Sequence, residues 1–404
     1  MNQAPENFLP YGRQFVEEDD IEAVSAVLRS DWLTTGPLVR QFEESLEETV
    51  GCRRAVACSN GTTALHLALL AAGVGAGDAV IVPALTFVAT ANAVRFAGGE
   101  VVFSDVDPES GLMEINQLQE ALDQAESRGL HVQAIMPVHL NGQCAEQPQL
   151  YDLAKSRGAE IVADACHALG TTYEWPGGKA MVGDGQHSDL ATFSFHPVKA
   201  IAMGEGGAIV TNDAAMAERM ERLRNHGIDR APASMRNRSA AFDNGVQNPW
   251  YYEIHELGFN YRASDIHCAL ALSQLGKLDR FISKRRNLVR RYCARLESLR
   301  LPVRPIARAP GCDPAWHLCA VLIDYETLGA TRRQVMERLA ASGIGSQVHY
   351  VPVHRQPYYR DRYGDLGLPG AEMYYEKVLS LPLFASMEDA DVDRVLETLE
   401  CIMG

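Results

Sequence analysis

The sequence predicts an α/β fold, with a large domain on a mostly parallel sheet and a smaller C-terminal α+β domain. Three observations carry that prediction. Short apolar runs alternate with helical patterns from about residue 54 to 212, a charged helix-rich segment without strand character follows from about 264 to 299, and a shorter mixed pattern comes after it. A chain of 404 residues allows two or three domains at roughly 100 to 200 residues each. The division is placed so that residues 1–263 form the large domain and 264–404 the connecting helix and the small domain.

Taken in order, the strands are "AVACS", "AVIVP", "EVVFSD", "VQAIMPV", "AEIVAD", "DLATFSF" and "GAIVT". Each is a short β-branched or apolar run bounded by turn residues, the pattern of strands buried on both faces. Helical stretches such as "TTALHLALLAAG" and "EQPQLYDLAKSRG" lie between several of them. The glycine-rich "GVGAGD" at 73–78 follows a helical run and leads into a strand, the reverse of what a dinucleotide fingerprint requires, so it reads as a turn. No Gly-x-x-x-x-Gly-Lys-Ser/Thr phosphate loop occurs. Ser264 is an N-cap for the segment that connects the domains. Beyond it, "HLCAVLID", "TRRQVMERLAASG", "SQVHY" and "MEDADVDRVLETLECIM" supply the small domain.

Composition narrows the function classes. With 47% hydrophobic and 22% charged residues the chain is an ordinary globular one, and no window holds the ~20 unbroken apolar residues of a membrane helix. The start "MNQAPENFLPYGRQ" has no basic stretch followed by an apolar run, so a secretory leader is not expected and a cytoplasmic location is. A net charge of −15 argues against a nucleic-acid or membrane-surface partner, since both need basic patches. Nine scattered cysteines without a Cys-x-x-Cys indicate reduced thiols and no metal site.

The chemistry concentrates in "FSFHPVKAIAMGEGGAIVTND", residues 193–213, where Lys199 interrupts a run that otherwise reads strand, turn, strand. Pyridoxal phosphate needs a lysine to bond it, a carboxylate facing its pyridine nitrogen, donors for its phosphate and a flat group against its ring. Lys199, in apolar surroundings that would lower its pKa, fits the first need. Asp164 ends the strand "AEIVAD", where α/β sheets place ligands, and fits the second. His167 could approach the ring. "SNGTTAL", 59–65, is a strand, glycine turn and helix start, which makes Thr62 and Thr63 phosphate candidates. Ser194 could add a hydroxyl and Phe87 could stack on the ring. Singly, each has a plainer reading: a solvated lysine, a loop-capping aspartate, a structural histidine, a helix cap, a core phenylalanine.

On these residues, together with "WLTTGPLVRQFEE", "SNGTTALHLAL", "TFVATANAV", "DACHALG", "GFNYRASDIHCALALSQL" and "VHYVPVH", the chain resembles the DegT/StrS-type sugar aminotransferases. They are a branch of the aspartate-aminotransferase-like, fold-type I pyridoxal phosphate enzymes, and the likeness covers nearly the whole chain. Within the family, "PWYYEIHELGFNYR", "FHPVK" and "VHYVPVHRQPYY" point to the branch that serves pseudaminic acid biosynthesis. The resemblance implies pyridoxal 5'-phosphate as cofactor, bonded to Lys199, with Asp164 on the pyridine nitrogen and His167 near the ring. It places Gly61, Thr62, Thr63 and Ser194 around cofactor and phosphate. It implies a homodimer in which Asn260 reaches the cofactor phosphate of the neighbouring subunit. Tyr11, the segment Asp31, Trp32, Leu33 and Thr34, and the segment His349, Tyr350, Val351 and Pro352 match positions that bind a sugar nucleotide. The implied partners are a UDP-linked 4-keto-6-deoxy-N-acetyl sugar and L-glutamate as amino donor. Arg13, Arg262 and Arg355 are candidates to meet the diphosphate of the sugar nucleotide, with a solvated surface side chain as the plainer reading of each. Two departures stand out: Ala163 precedes the aspartate where relatives often carry an acid, and Ala202 and Met203 replace a usual threonine pair. The rivals are a transaminase for another dTDP-, GDP- or UDP-linked keto sugar, a dehydratase, against which Lys199 argues because dehydratases place histidine there, and a catalytically silent regulatory protein of the same fold.

Overall fold

The computed structural model describes residues 8–144, 146–299 and 301–403. Residues 1–7, half of the start read above for a leader, lie outside them. Seven strands form the central sheet: β1 (Arg54–Cys58), β2 (Asp78–Pro83), β3 (Glu100–Ser104), β4 (His131–Ile135), β5 (Glu160–Asp164), β6 (Leu190–Ser194) and β7 (Gly207–Thr211). Their order across the sheet is β1-β7-β6-β5-β4-β2-β3. Strands β3, β2, β4, β5 and β6 pair in parallel, while β7 runs antiparallel to both β1 and β6. The reversal follows from the connection: the loop 195–206 between β6 and β7 carries no helix, and a parallel crossover needs one or a comparable length of chain. The fold is the aspartate-aminotransferase-like, fold-type I architecture.

The strand residues are enclosed on both faces; Val80, Ile81 and Val82 are each fully buried. Helix Gly61–Ala71 packs into that layer with Ala64, Leu65, Leu67, Ala68 and Leu69 all buried, as a helix apolar around its circumference must. Turning "GVGAGD" into a loop requires the left-handed backbone of Gly73 and Gly77.

Because β7 opposes both neighbours, β1 runs in the same direction as β6 and the parallel set. The carboxyl ends of β1, β2, β5 and β6 therefore lie along one edge of the sheet, where open α/β folds hold their ligands.

The helix-rich segment is two helices, Asp265–Leu275 and Leu278–Ser298. Ser264 caps the first by accepting the N–H of His267. A second, antiparallel sheet follows, in the order β8 (Val303–Pro305), β9 (Cys319–Ile323), β10 (Val378–Leu381). A hairpin of Thr172–Trp175 and Gly178–Met181 went unread in the sequence, and Cys312–Asp313 pairs onto it as a third strand. Among the described residues no helix is long and apolar enough to cross a membrane.

Candidate active site

A cavity of about 670 Å³ opens at the carboxyl edge of the sheet. Its walls come from the ends of β1 (Asn60, Gly61, Thr62), β2 (Thr86, Phe87), β5 (Asp164, Cys166, His167) and β6 (Ser194, His196, Lys199). From outside the central sheet Tyr11, His317 and the segment 347–350 complete it.

Asp164 is buried at the end of β5, with 6% of its surface exposed. Its Oδ2 accepts the Thr90 hydroxyl at 2.7 Å and its Oδ1 the N–H of Cys166 at 3.2 Å. Thr90 is itself 2.7 Å from the Thr86 hydroxyl, so a short polar chain orients the carboxylate. Lys199 emerges from the loop 195–206 and opens onto the cavity along part of its length, while its ammonium is enclosed by protein. That burial lowers its pKa from the usual lysine range, because a charged amine loses its hydration there.

Three imidazoles stand around the lysine. His167 and His317 approach to 4.3 Å between ring centroids, and the Tyr350 hydroxyl lies 3.3 Å from His167 Nε2. Burial first, then the Lys199 charge, pushes the His167 pKa well below its ordinary value. His317 is lowered likewise, by burial and then by His167. His349 is anchored through Nδ1 to the Ser380 hydroxyl at 2.8 Å and is pushed down to about 3, mainly by burial. All three are neutral near pH 7. Tyr11 stacks obliquely on His349 at 5.5 Å, and Phe87 lies 5.8 Å from Tyr350.

Helix Gly61–Ala71 begins at the cavity wall. Asn60 caps it by accepting the Thr63 N–H, and the Thr63 hydroxyl bonds back to Asn60. Thr63 is thereby used in the cap and does not line the cavity, whereas Gly61 and Thr62 do. A side chain at position 61 would place its Cβ 2.8 Å from that of Ser194 and 3.1 Å from its hydroxyl. Gly61 thus leaves free a cradle formed by a helix start and a hydroxyl, a setting for an anionic group. His167 Nδ1 is buried without a partner among the described residues. An enclosed amine, a carboxylate held in place on the same cavity and an anion cradle together fit pyridoxal phosphate.

Several expected residues do not reach this cavity within one chain. Residues 31–34 are exposed, and the chain around them is tied down by Asp265, which donates its N–H to the Leu33 carbonyl and accepts that of Gly36. Asn260 is exposed and away from the cavity lining. Val351 and Pro352 lie just past the lining segment. None of Arg13, Arg262 and Arg355 lines it: Arg13 stacks over Phe384, Arg262 donates to Asn225, and Arg355 lies over Tyr375.

Two residues of the site were missed, Thr90 behind the Asp164 carboxylate and His317 in the cavity wall. Thr90 sits inside the quoted "TFVATANAV" with no local sign that it turns toward Asp164. His317 precedes the strand run "LCAVLI" and reads as strand flank. What brings it in is a close backbone approach: its N–H donates to the Asn141 carbonyl at 3.0 Å. The turn Leu140–Gly142 reaches Ala315 only because Gly142 has φ +93° and no Cβ to strike the Ala315 carbonyl.

Comparison with known proteins adds the following. A model of the DegT/DnrJ/EryC1/StrS aminotransferase family matches residues 14–400. Among solved structures, Helicobacter pylori PseC, an aminotransferase of pseudaminic acid biosynthesis, is similar at TM-score 0.85 and 26% identity, covering 98% of this chain and 99% of its own. A DegT DnrJ EryC1 StrS aminotransferase from Brucella abortus gives TM-score 0.83 at 30% identity, with 96% of each chain covered. A Streptococcus pneumoniae protein assigned as a sugar aminotransferase, in its pyridoxal phosphate form, gives 0.84 at 26%, with 98% of each chain covered.

Proposed function

The chain belongs to the DegT/DnrJ/EryC1/StrS aminotransferase family and is a pyridoxal-phosphate-dependent sugar aminotransferase, and from that premise we propose a specific reaction for it. The amino group of L-glutamate is moved to C4 of a UDP-linked 4-keto-6-deoxy-N-acetyl sugar, giving UDP-4-amino-4,6-dideoxy-N-acetyl-β-L-altrosamine for pseudaminic acid biosynthesis. The observation that carries the proposal is the convergence of Lys199 and Asp164 on one cavity, in a chain similar to PseC along nearly its whole length.

When bound, pyridoxal phosphate supplies an electron sink for the carbanion left as a proton departs from the amine-bearing carbon. In the proposed roles Lys199 bonds the cofactor. Its amine, whose pKa burial lowers, would be the group that takes up that proton and gives it back. Asp164 would accept the N–H of the pyridine nitrogen and favour its protonated form, and Thr90 donates to that carboxylate. The N–H groups of Gly61 and Thr62 and the Ser194 hydroxyl receive the phosphate. His167 and Phe87, both on the cavity wall, would flank the cofactor ring. Tyr11, His349 and Tyr350 face the sugar side of the cavity.

Residues 31–34 and Asn260 are proposed to act across a homodimer, a reading supported by their exposure away from their own cavity. We also propose residues 1–263 and 264–404 as the large and small domains, and a cytoplasmic location.

The deciding experiment is a coupled assay of the purified enzyme with pyridoxal phosphate, glutamate and a panel of 4-keto sugar nucleotides, following 2-oxoglutarate release and resolving the product by mass and NMR. Turnover is expected on the UDP-linked β-L-arabino 4-keto sugar. Turnover confined to dTDP or GDP sugars would reject the substrate while leaving the enzyme class in place.

The cradle has its own test. Gly61→Ala is expected to weaken cofactor binding about 10- to 100-fold, the equivalent of the ~1–3 kcal/mol that overpacking costs. Absorbance titration of the apo-protein with pyridoxal phosphate measures it. An unchanged affinity would remove the helix start from the phosphate site.

A further inference from the structure

We propose that Arg285 is a positioning residue for the amino-transfer reaction, its guanidinium fixing the backbone from which Lys199 and His317 enter the cavity. The proposal rests on the assignment of Lys199 to the cofactor made above. Arg285 lies on helix Leu278–Ser298 with 3% of its surface exposed. Its Nη2 donates to the Lys199 carbonyl at 3.3 Å, and its Nη1 to the carbonyls of His317 at 3.2 Å and Leu383 at 3.1 Å. Three segments far apart in the chain meet on one side chain.

No carboxylate pairs with this guanidinium among the described residues, and its Nε has no partner there. A buried cation satisfied by carbonyls alone is costly; burial pushes its pKa down to about 10. Leucine or methionine would pack the same space without that cost, so stability is a poor explanation for a guanidinium at this point. What the fork offers is geometry, because its planar donors fix the relative placement of the carbonyls they hold.

The loop needs such a hold. Lys199 sits outside the sheet ladder, in the loop 195–206, where its own N–H makes only a turn bond to the His196 carbonyl. Two side chains from the helices of the connecting segment grip the loop backbone: Gln274, which accepts the Ala202 N–H, and Arg285, at the lysine itself. The same guanidinium holds the His317 carbonyl, and the His317 ring packs against His167. A shift of either segment would move the proton-transferring amine relative to its target, and a misplacement near 1 Å can cost ~100-fold in rate.

The test uses Arg285→Met, Arg285→Lys and, as a control, Val289→Ala. Val289 is buried on the same helix and does not line the cavity. For each full-length variant, Tm, kcat, KM for both substrates and the fraction of chains carrying cofactor on Lys199 after borohydride reduction are measured, the last by mass spectrometry at saturating cofactor. Arg285→Met is expected to lower kcat about 100-fold, with KM for the sugar nucleotide changed less than threefold and a smaller captured fraction. Arg285→Lys, which keeps the charge and loses the fork, is expected to lie between it and the wild type. Val289→Ala should lower Tm while leaving kcat and capture unchanged.

A folded Arg285→Met that keeps kcat within twofold would overturn the proposal. So would an equal loss of kcat in Val289→Ala, which would make the effect one of general loosening. If Arg285→Met fails to fold, Arg285→Lys decides: a drop in kcat of tenfold or more at a Tm no lower than that of Val289→Ala supports positioning, and a smaller drop rejects it.

Discussion

Lys199→Ala is expected to abolish turnover, with kcat lower by about 10⁴-fold, the upper end of what a positioned proton-transfer group supplies. Both proposed functions vanish with the side chain: the bond to the cofactor and the amine that moves the proton. Stability should not fall with activity. Burial already opposes the charged amine, so its removal relieves a desolvation cost. Lys199→Arg should fail as completely, because a guanidinium stays protonated and can neither bond the cofactor nor accept a proton. Purified variants would be assayed for 2-oxoglutarate release and for cofactor captured by borohydride, with Tm followed in parallel. Persistent turnover in either variant would show that Lys199 is not the reacting lysine.

The second large effect is expected at Asp164→Asn. The substitution is nearly isosteric, and the amide oxygen can still accept the Thr90 hydroxyl that Asp164 Oδ2 accepts at 2.7 Å. Structure should therefore hold while the negative charge is lost. In the proposed role that charge keeps a proton on the pyridine nitrogen, and removing one preorganised electrostatic partner of a reacting centre costs about 10²–10³ in kcat. Steady-state kinetics beside a thermal melt would separate the two quantities. A kcat within tenfold of the wild type, at unchanged Tm, would mean that the carboxylate does not face the pyridine nitrogen.

The near-equivalence of sequence and structure at Asp164 and Lys199 has a local cause. Both follow an apolar strand run, and the end of such a run in an alternating α/β pattern is an address that can be read from the chain. Thr62 and Thr63 are different. Adjacent threonines at a helix start have the same composition signal for capping and for anion binding, and the choice was made by Asn60, whose side chain accepts the Thr63 N–H and leaves Thr62 on the cavity. The hairpin Thr172–Trp175 and Gly178–Met181 was hidden for another reason: "TYEW" and "GKAM" are too short and mixed to show a period.

His317 and Arg285 are the clearest case of what no local pattern holds. Arg285 stands 86 residues beyond Lys199 in the chain, in a helix with six other basic residues, none of them fully buried. His317 comes to the cavity through a turn that Gly142 alone permits. By itself the sequence determined the α/β class, the strands of the central sheet and the family, and it singled out the lysine and the aspartate that line one cavity, because these depend on residue order along single elements. Tertiary structure alone decided which threonine meets the cavity, which histidines surround the lysine, and that one buried arginine ties the lysine loop to the rest of the protein. Those outcomes depend on the relative placement of elements distant in sequence, which is set by packing and by backbone approach rather than by any local period.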